Sequence, residues 1–252
     1  MSFSVAADAY DRFMGRFSSL LAPQFVDYSA VESGQVVLDV GCGPGSLTEE
    51  LTRRLGASSV HAVDPSPSFV AAARTRNPGV DVHTAVAEDL PFPDGRFDAT
   101  LAQLVVHFMS DPERGIREMS RVTHTGGVVA ACVWDHAGGE GPLALFWDVV
   151  RSLHGQVHDE SDLPGTRQGH LNEILESAGL SQVRGSSLVV GVEYNSFEEW
   201  WEPFNHGVGP AGAFVAGLAS DERDDLREQC RLALPEAPFV ISGRAWVARG
   251  QA

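Results

Sequence analysis

Apolar residues fall along this chain in two alternating rhythms. Short runs of β-branched and small apolar residues at 36–40, 60–63, 80–86, 97–106 and 128–134 have the length and continuity of strands buried on both faces. At 67–76 and 111–122 apolar positions recur every three or four residues instead, the spacing of helices that cover such a sheet. In the second of these Asp111 is the cap, Pro112 opens the first turn, and Ile116, Met119 and Val122 face inward. Ahead of the first strand, Tyr10, Phe13, Met14, Phe17, Leu20, Leu21 and Phe25 are helically spaced and predict one or two amphipathic helices over residues 4–30. After the fifth strand, residues 143–153 and 167–179 predict two further helices, the latter closed by Gly179. Residues 183–192 and 239–247 predict two last strands, the first returning antiparallel. Alternating elements of this kind build a doubly wound, mostly parallel α/β sheet with helices on both faces.

One segment departs from that rhythm. About 40 residues, 194–234, separate the last two strands where a hairpin would suffice, and so long an insertion is usually functional. Phe197, Trp200, Trp201 and Phe204 follow at intervals of three and four, with Glu198, Glu199 and Glu202 mostly opposite, so one helix face is strongly apolar. Gly207-Val208-Gly209-Pro210-Ala211-Gly212 after it has the composition of a hinge. The segment is expected to be a mobile helical lid whose aromatic face builds a pocket; the same spacing also describes rings that merely pack the insertion onto the sheet.

The first strand carries the clearest chemistry. The run at 36–40 stops in Gly41-Cys42-Gly43-Pro44-Gly45, glycines that let the backbone turn sharply and approach a ligand. Ser46 with Glu49 three residues on has the capping-box pattern of a helix start. A dinucleotide fingerprint needs glycines at its first, third and sixth positions, but after Gly41 and Gly43 the sixth is Ser46. Asp39, two residues before the turn, is an acceptor-only carboxylate able to receive an ammonium group or turn amides, which suits an amino-acid ligand better than a pyrophosphate.

Leu38-Asp39-Val40-Gly41-Cys42-Gly43-Pro44-Gly45 resembles the first motif of class I S-adenosylmethionine-dependent methyltransferases. His61-Ala62-Val63-Asp64 resembles the second strand of that family with its ribose-binding acid, and residues 87–98, Ala87-Glu88-Asp89-Leu90-Pro91-Phe92-Pro93-Asp94-Gly95-Arg96-Phe97-Asp98, its third motif. The small-molecule branch, which includes quinone-biosynthesis methyltransferases, is the most similar, and the resemblance covers residues 10–135. It implies one Rossmann-like domain over residues 1–252, with a seven-stranded, mostly parallel sheet. An N-terminal helical cover takes residues 1–35, the sheet core 36–193 and 236–252, and the helical lid 194–235. It also implies S-adenosyl-L-methionine as cofactor, held by Asp39, Gly41, Gly43, Gly45 and Asp64, the last 19 residues after Gly45 at a strand end. Asp64 is open to a second reading as a turn aspartate before Pro65.

The resemblance extends to further residues. Tyr10 and Arg16 lie in a segment that covers the cofactor in related enzymes, and Gln103 matches the position beside its methionine part. The acidic or amide residue that commonly precedes the Ala87-Glu88 pair is Val86 here, so Glu88 is left either to accept from the adenine amino group beside the Ala87 amide or to face solvent. His107, just past the fourth strand, is the candidate base for a methyl acceptor, or else a packed core histidine. The expected reaction is in-line methyl transfer to an O, N or C atom of a small, largely apolar molecule. A catalytically silent cofactor-binding or regulatory protein and a nicotinamide-dependent oxidoreductase are the alternatives, the second disfavoured by Ser46.

Composition narrows the partners. A net charge of -16 opposes nucleic-acid and anionic membrane surfaces, and no apolar stretch approaches the roughly 20 residues of a bilayer span. Cys42, Cys132 and Cys230 are widely separated and suit reduced thiols; with no secretory pattern at the start, the cytoplasm is the expected location. His154 and His158 lack a third ligand, so no metal is expected, and the pattern specifies no oligomeric state.

Overall fold

The computed structural model describes residues 7–155 and 157–252, with side chains from residue 9. Helix α1 (Ala7–Tyr10), a π-helical turn (Asp11–Gly15) and α2 (Arg16–Ser29) run on without a break. The predicted N-terminal cover is therefore one continuous helical segment; its residues 1–6 lie outside the described ones. There follow β1 (Val37–Val40), α3 (Ser46–Leu55), β2 (Val60–Asp64), α4 (Pro67–Arg76), β3 (Asp81–Thr84), β4 (Phe97–Gln103), α5 (Pro112–Val122) and β5 (Thr123–Trp134). The second half comprises α6 (Ala144–His154), α7 (His170–Ser177), β6 (Ser181–Tyr194), α8 (Phe197–Trp201), α9 (Gly209–Gly217), α10 (Ser220–Ala233) and β7 (Phe239–Gln251).

The strands form one sheet in the order β3-β2-β1-β4-β5-β7-β6. The first five are parallel, and β7 runs antiparallel between β5 and β6. Because β1 leads on to β2 on one side and lies beside β4 on the other, the chain's connections part at its C-terminal end, where open α/β sheets form their ligand crevice.

Side chains alternate across β1 as the pleat requires. Val37 joins the core with Phe17, Leu21, Leu47 and Leu51, whereas Leu38 and Val40 join Ile116, Met119 and Leu171 on the other face. Asp39 is thus carried into the first of these layers, 1% exposed, by its place in the strand. Helix α5 starts as its sequence predicts, with Asp111 Oδ1 accepting the Arg114 amide at 3.0 Å. Strand β4 stops at Gln103 instead of running to 106, because Leu104 takes a left-handed φ of 62°. The helix expected from residue 167 begins only after Gly169.

The insertion is helical, as predicted, but its rings do not build a pocket. Trp200 and Trp201 are each 3% exposed and Phe204 is fully buried. Phe204 stacks on Phe146 of α6 at 4.6 Å and meets Phe13 edge-on at 4.9 Å. An apolar helix face gains more by covering the core than by standing open, so these rings fasten the insertion down. At the supposed hinge, α9 begins at Gly209, and a Cβ on Gly212 would stand 2.7 Å from the Gly207 carbonyl carbon, so the two glycines are packed together.

Candidate active site

The turn after β1 shapes a crevice of about 340 Å³ at the C-terminal ends of β1, β2 and β4. Gly41 has a φ of 74°, and a Cβ there would come within 2.5 Å of Val105 Cγ2. Gly43 also has a positive φ, 54°, but no atom lies within 4 Å of where its Cβ would stand. One glycine is therefore required by packing, and the other leaves backbone bare toward open space. Gly45, at φ 101°, is itself the N-cap of α3, and its carbonyl accepts the Glu49 amide at 2.9 Å. The helix thus begins one residue earlier than Ser46 predicts, and the capping box does not form. The Ser46 hydroxyl is left buried, without a partner, in the crevice wall.

Two carboxylates bracket the turn. Asp39 Oδ2 accepts the Thr48 hydroxyl at 2.6 Å, while its buried Oδ1 has no partner. Burial pushes the Asp39 carboxyl up to about 7, against the Thr48 hydrogen bond and with help from the negative charge of Asp64. Asp64 Oδ2 accepts the Gly43 amide and Oδ1 the Ser66 amide, both at 2.8 Å. These amides partly offset the burial that raises its own pKa. Asp64 is thus both a turn acid tied to the chain after Pro65 and a wall of the crevice.

Among the other predicted contacts, Ala87, Gln103 and Tyr10 also line the crevice. Gln103 donates from Nε2 to the Ser18 carbonyl at 3.1 Å, tying the strand end to α2, and its Oε1 is buried without a partner. One residue is placed otherwise than expected, and a second has a further role. Arg16 turns away toward the insertion, pairing with Glu199 at 2.8 Å, donating to the Glu193 carbonyl at 2.9 Å and lying over the Tyr194 ring. Its long side chain finds a carboxylate, a carbonyl and a π face there together, which fixes it outside the crevice. Glu88 does reach the crevice wall, yet its Oε1 accepts the amides of Ser110 at 2.7 Å and Asp111 at 3.2 Å, so it clasps the loop before α5 instead of facing solvent.

A second cavity, about 400 Å³, adjoins the crevice and shares Tyr10, Phe69, Leu104 and Phe108 with it. Residues 207–211 of the insertion form one wall, so the insertion does border a pocket, through its glycine-proline segment. His107 lines this cavity and not the crevice, because the turn at Leu104 carries it past the sheet edge. It is 5% exposed with Nδ1 unpartnered, and burial holds its imidazole well below its ordinary pKa, in the neutral form. The His136 ring lies 6.0 Å from it, centroid to centroid, and is pushed down to about 4 by burial. Glu160 joins them in the wall, its carboxyl raised to about 7 by burial.

His136 and Glu160 escape sequence reasoning. His136 could have been found from its place just past the end of β5, where crevice residues gather. Glu160 sits in an acidic stretch that reads as a solvated loop, and nothing local marks it. Among the described residues no three His, Cys, Asp or Glu side chains gather as metal ligands.

Residues 38–131 match the family model of the methyltransferase domain. An uncharacterized methyltransferase of Mycobacterium tuberculosis is 36% identical over 165 residues, 66% of this chain and 59% of that protein. The chain thus spans about three fifths of that relative's length. The 2-methyl-6-phytyl-1,4-hydroquinone methyltransferase 2 of Oryza sativa subsp. japonica is 38% identical over 99 residues, 38% of this chain and 28% of its own. Among solved structures, the chain is similar to an S-adenosylmethionine-dependent methyltransferase of Thermotoga maritima, described as a possible histamine N-methyltransferase. That match has a TM-score of 0.58 at 20% identity and covers 97% of this chain and 95% of the other. The seven-stranded sheet is therefore the Rossmann-like fold of class I methyltransferases.

Proposed function

We propose, from the methyltransferase domain that residues 38–131 form, that this chain transfers a methyl group from S-adenosyl-L-methionine to a small, largely apolar acceptor, as the small-molecule branch does. The observation that carries this reading is the set of buried, unpartnered polar atoms in the crevice: Asp39 Oδ1, Gln103 Oε1 and the Ser46 hydroxyl. Unpartnered buried acceptors cost about 1–3 kcal/mol each unless a ligand supplies donors. An amino-acid ammonium group does so, and the bare backbone at Gly43 suits a ligand that lies against it. Asp64, on the β2 edge of the same crevice, is positioned to receive ribose hydroxyls with the lone pairs its two amide bonds leave.

The methyl donor supplies an already electrophilic carbon, so the protein's work is largely positioning, worth roughly 7–11 kcal/mol. Tyr10, Phe69, Leu104 and Phe108, shared by the two cavities, surround the passage between cofactor and acceptor. On this reading His107 is the residue that takes a proton from an acceptor hydroxyl or amine, since it is neutral and its Nδ1 is uncommitted. Within the insertion of residues 194–235, residues 207–211 wall the second cavity and so serve as the cover of a bound acceptor. Cytoplasmic location belongs to the same reading and is supported by three free, buried cysteines.

Calorimetry tests the cofactor assignment: S-adenosylhomocysteine binds and NAD does not, and the reverse result refutes it. With an acceptor in hand, His107→Gln lowers turnover by about 10² to 10⁴ fold if His107 is the base. Unchanged turnover and pH profile would make it a packing residue.

A further inference from the structure

Among the described residues, those that line the acceptor cavity include a carboxyl group and no cation. His107, His136 and Glu160 line it with Tyr10, but no arginine does. The chain has no lysine at all, its 18 cationic residues being arginine throughout. Both imidazoles are held neutral by burial, so neither offers positive charge. Glu160 is 5% exposed and lines the acceptor cavity without reaching the cofactor crevice. Its Oε2 accepts the indole N–H of Trp147 at 3.0 Å. Trp147 is in turn fixed edge-on against Phe146 at 5.0 Å and Phe214 at 5.9 Å, so the carboxyl is held from behind by a rigid neighbour. The nearby Arg151 is occupied by Asp148 at 2.6 Å and by Asp159, and it lines an adjoining small recess, which shares His136 and Glu160 with the cavity, and not the cavity itself.

Resting on the methyltransferase reading, we propose that Glu160 determines acceptor specificity: it receives an O–H or N–H of an uncharged, largely apolar acceptor and excludes carboxylates and phosphates. The selectivity has two sources. A donor on the ligand satisfies a carboxyl that apolar walls otherwise leave poorly solvated. An anion in the same cavity meets a like charge with no counter-ion, which is discrimination by an unfavourable contact. Burial and the charge of Asp159 raise the Glu160 carboxyl to about 7, so the like-charge exclusion is strongest above neutral pH.

Three matched probes test the proposal: 2-naphthol, 2-methoxynaphthalene and 2-naphthoate, titrated calorimetrically at pH 8, above the raised Glu160 pKa, with and without S-adenosylhomocysteine. Wild-type protein is expected to bind 2-naphthol at least about tenfold more tightly than either other probe, the size of one hydrogen bond to a charged group. Glu160→Gln, whose amide oxygen can still receive the Trp147 N–H, is expected to reduce the preference over 2-naphthoate to less than about threefold while leaving S-adenosylhomocysteine affinity unchanged. Binding of 2-naphthoate as tightly as 2-naphthol, the same preference in both proteins, or no binding of any probe overturns the proposal. Failure of S-adenosylhomocysteine to bind while the 2-naphthol preference persists would instead overturn the methyltransferase reading and leave the anion exclusion standing.

Discussion

Replacing Asp39 by asparagine should make the protein more stable and bind its cofactor worse. The carboxyl is 1% exposed, has one hydrogen bond from Thr48 and is raised from an ordinary 3.8 to about 7. A folded pKa above the unfolded one means that stability is fully present below pH 3.8 and lost as pH rises through about 7. At 1.36 kcal/mol per pH unit, that interval corresponds to about 4 kcal/mol lost by pH 8. Asparagine keeps the acceptor for Thr48 and carries no charge, but it leaves its amide N–H groups where Oδ1 now lacks a partner, a cost of about 1–3 kcal/mol. The net expectation for Asp39→Asn is a gain of about 1–3 kcal/mol at pH 8 that shrinks to about zero at pH 5. Urea unfolding at the two pH values measures it. Loss of a charged acceptor for the ligand's ammonium group should meanwhile weaken S-adenosylhomocysteine about 10- to 150-fold, from about 1.5–3 kcal/mol per charged hydrogen bond. Parallel pH dependence in the two proteins would refute the buried-carboxylate argument. Wild-type affinity in the variant would refute the ligand role of Asp39.

Two further substitutions separate architecture from binding. Trp200→Ala removes a ring that is 3% exposed and packed against Phe204, so thermal unfolding should show a loss of about 3–5 kcal/mol; a wild-type melting curve with altered acceptor kinetics would restore the pocket-building role that the structure withdraws. Gly41→Ala forces a Cβ to 2.5 Å from Val105 at a φ of 74°, and calorimetry should show S-adenosylhomocysteine binding weakened at least about tenfold on a strain of about 1–2 kcal/mol; unaltered affinity would mean that the turn tolerates displacement.

The strands, their order of succession and the glycine turn were legible because each rests on local chemistry: β-branched runs, period-3.6 faces, and glycines where no Cβ fits. Asp39, Asp64 and the turn glycines follow from that succession, since each lies at or just past the C-terminal end of a parallel strand, where the crevice of an open α/β sheet forms. Where a local rule met a competing neighbour, the sequence alone misled. Ser46 has every mark of a cap, yet the left-handed Gly45 starts the helix first. Arg16 is a free cation in the sequence, and only the fold brings Glu199, the Glu193 carbonyl and Tyr194 around it. Glu88 lines the crevice as one reading had it, but its hold on amides 22 and 23 residues away is visible only in the fold. The aromatic spacing of 197–204 fixed an apolar helix face by itself, but whether that face met ligand or core depended on Phe13 and Phe146, far off in the chain. The second cavity is the extreme case. His107, His136 and Glu160 come from three separate connections and residues 207–211 from the start of α9 and the turn before it, and no periodicity links them. Local sequence determined what each segment becomes, whereas the environment of each polar group, and hence its charge and its use, was decided by which segments the sheet order brought together.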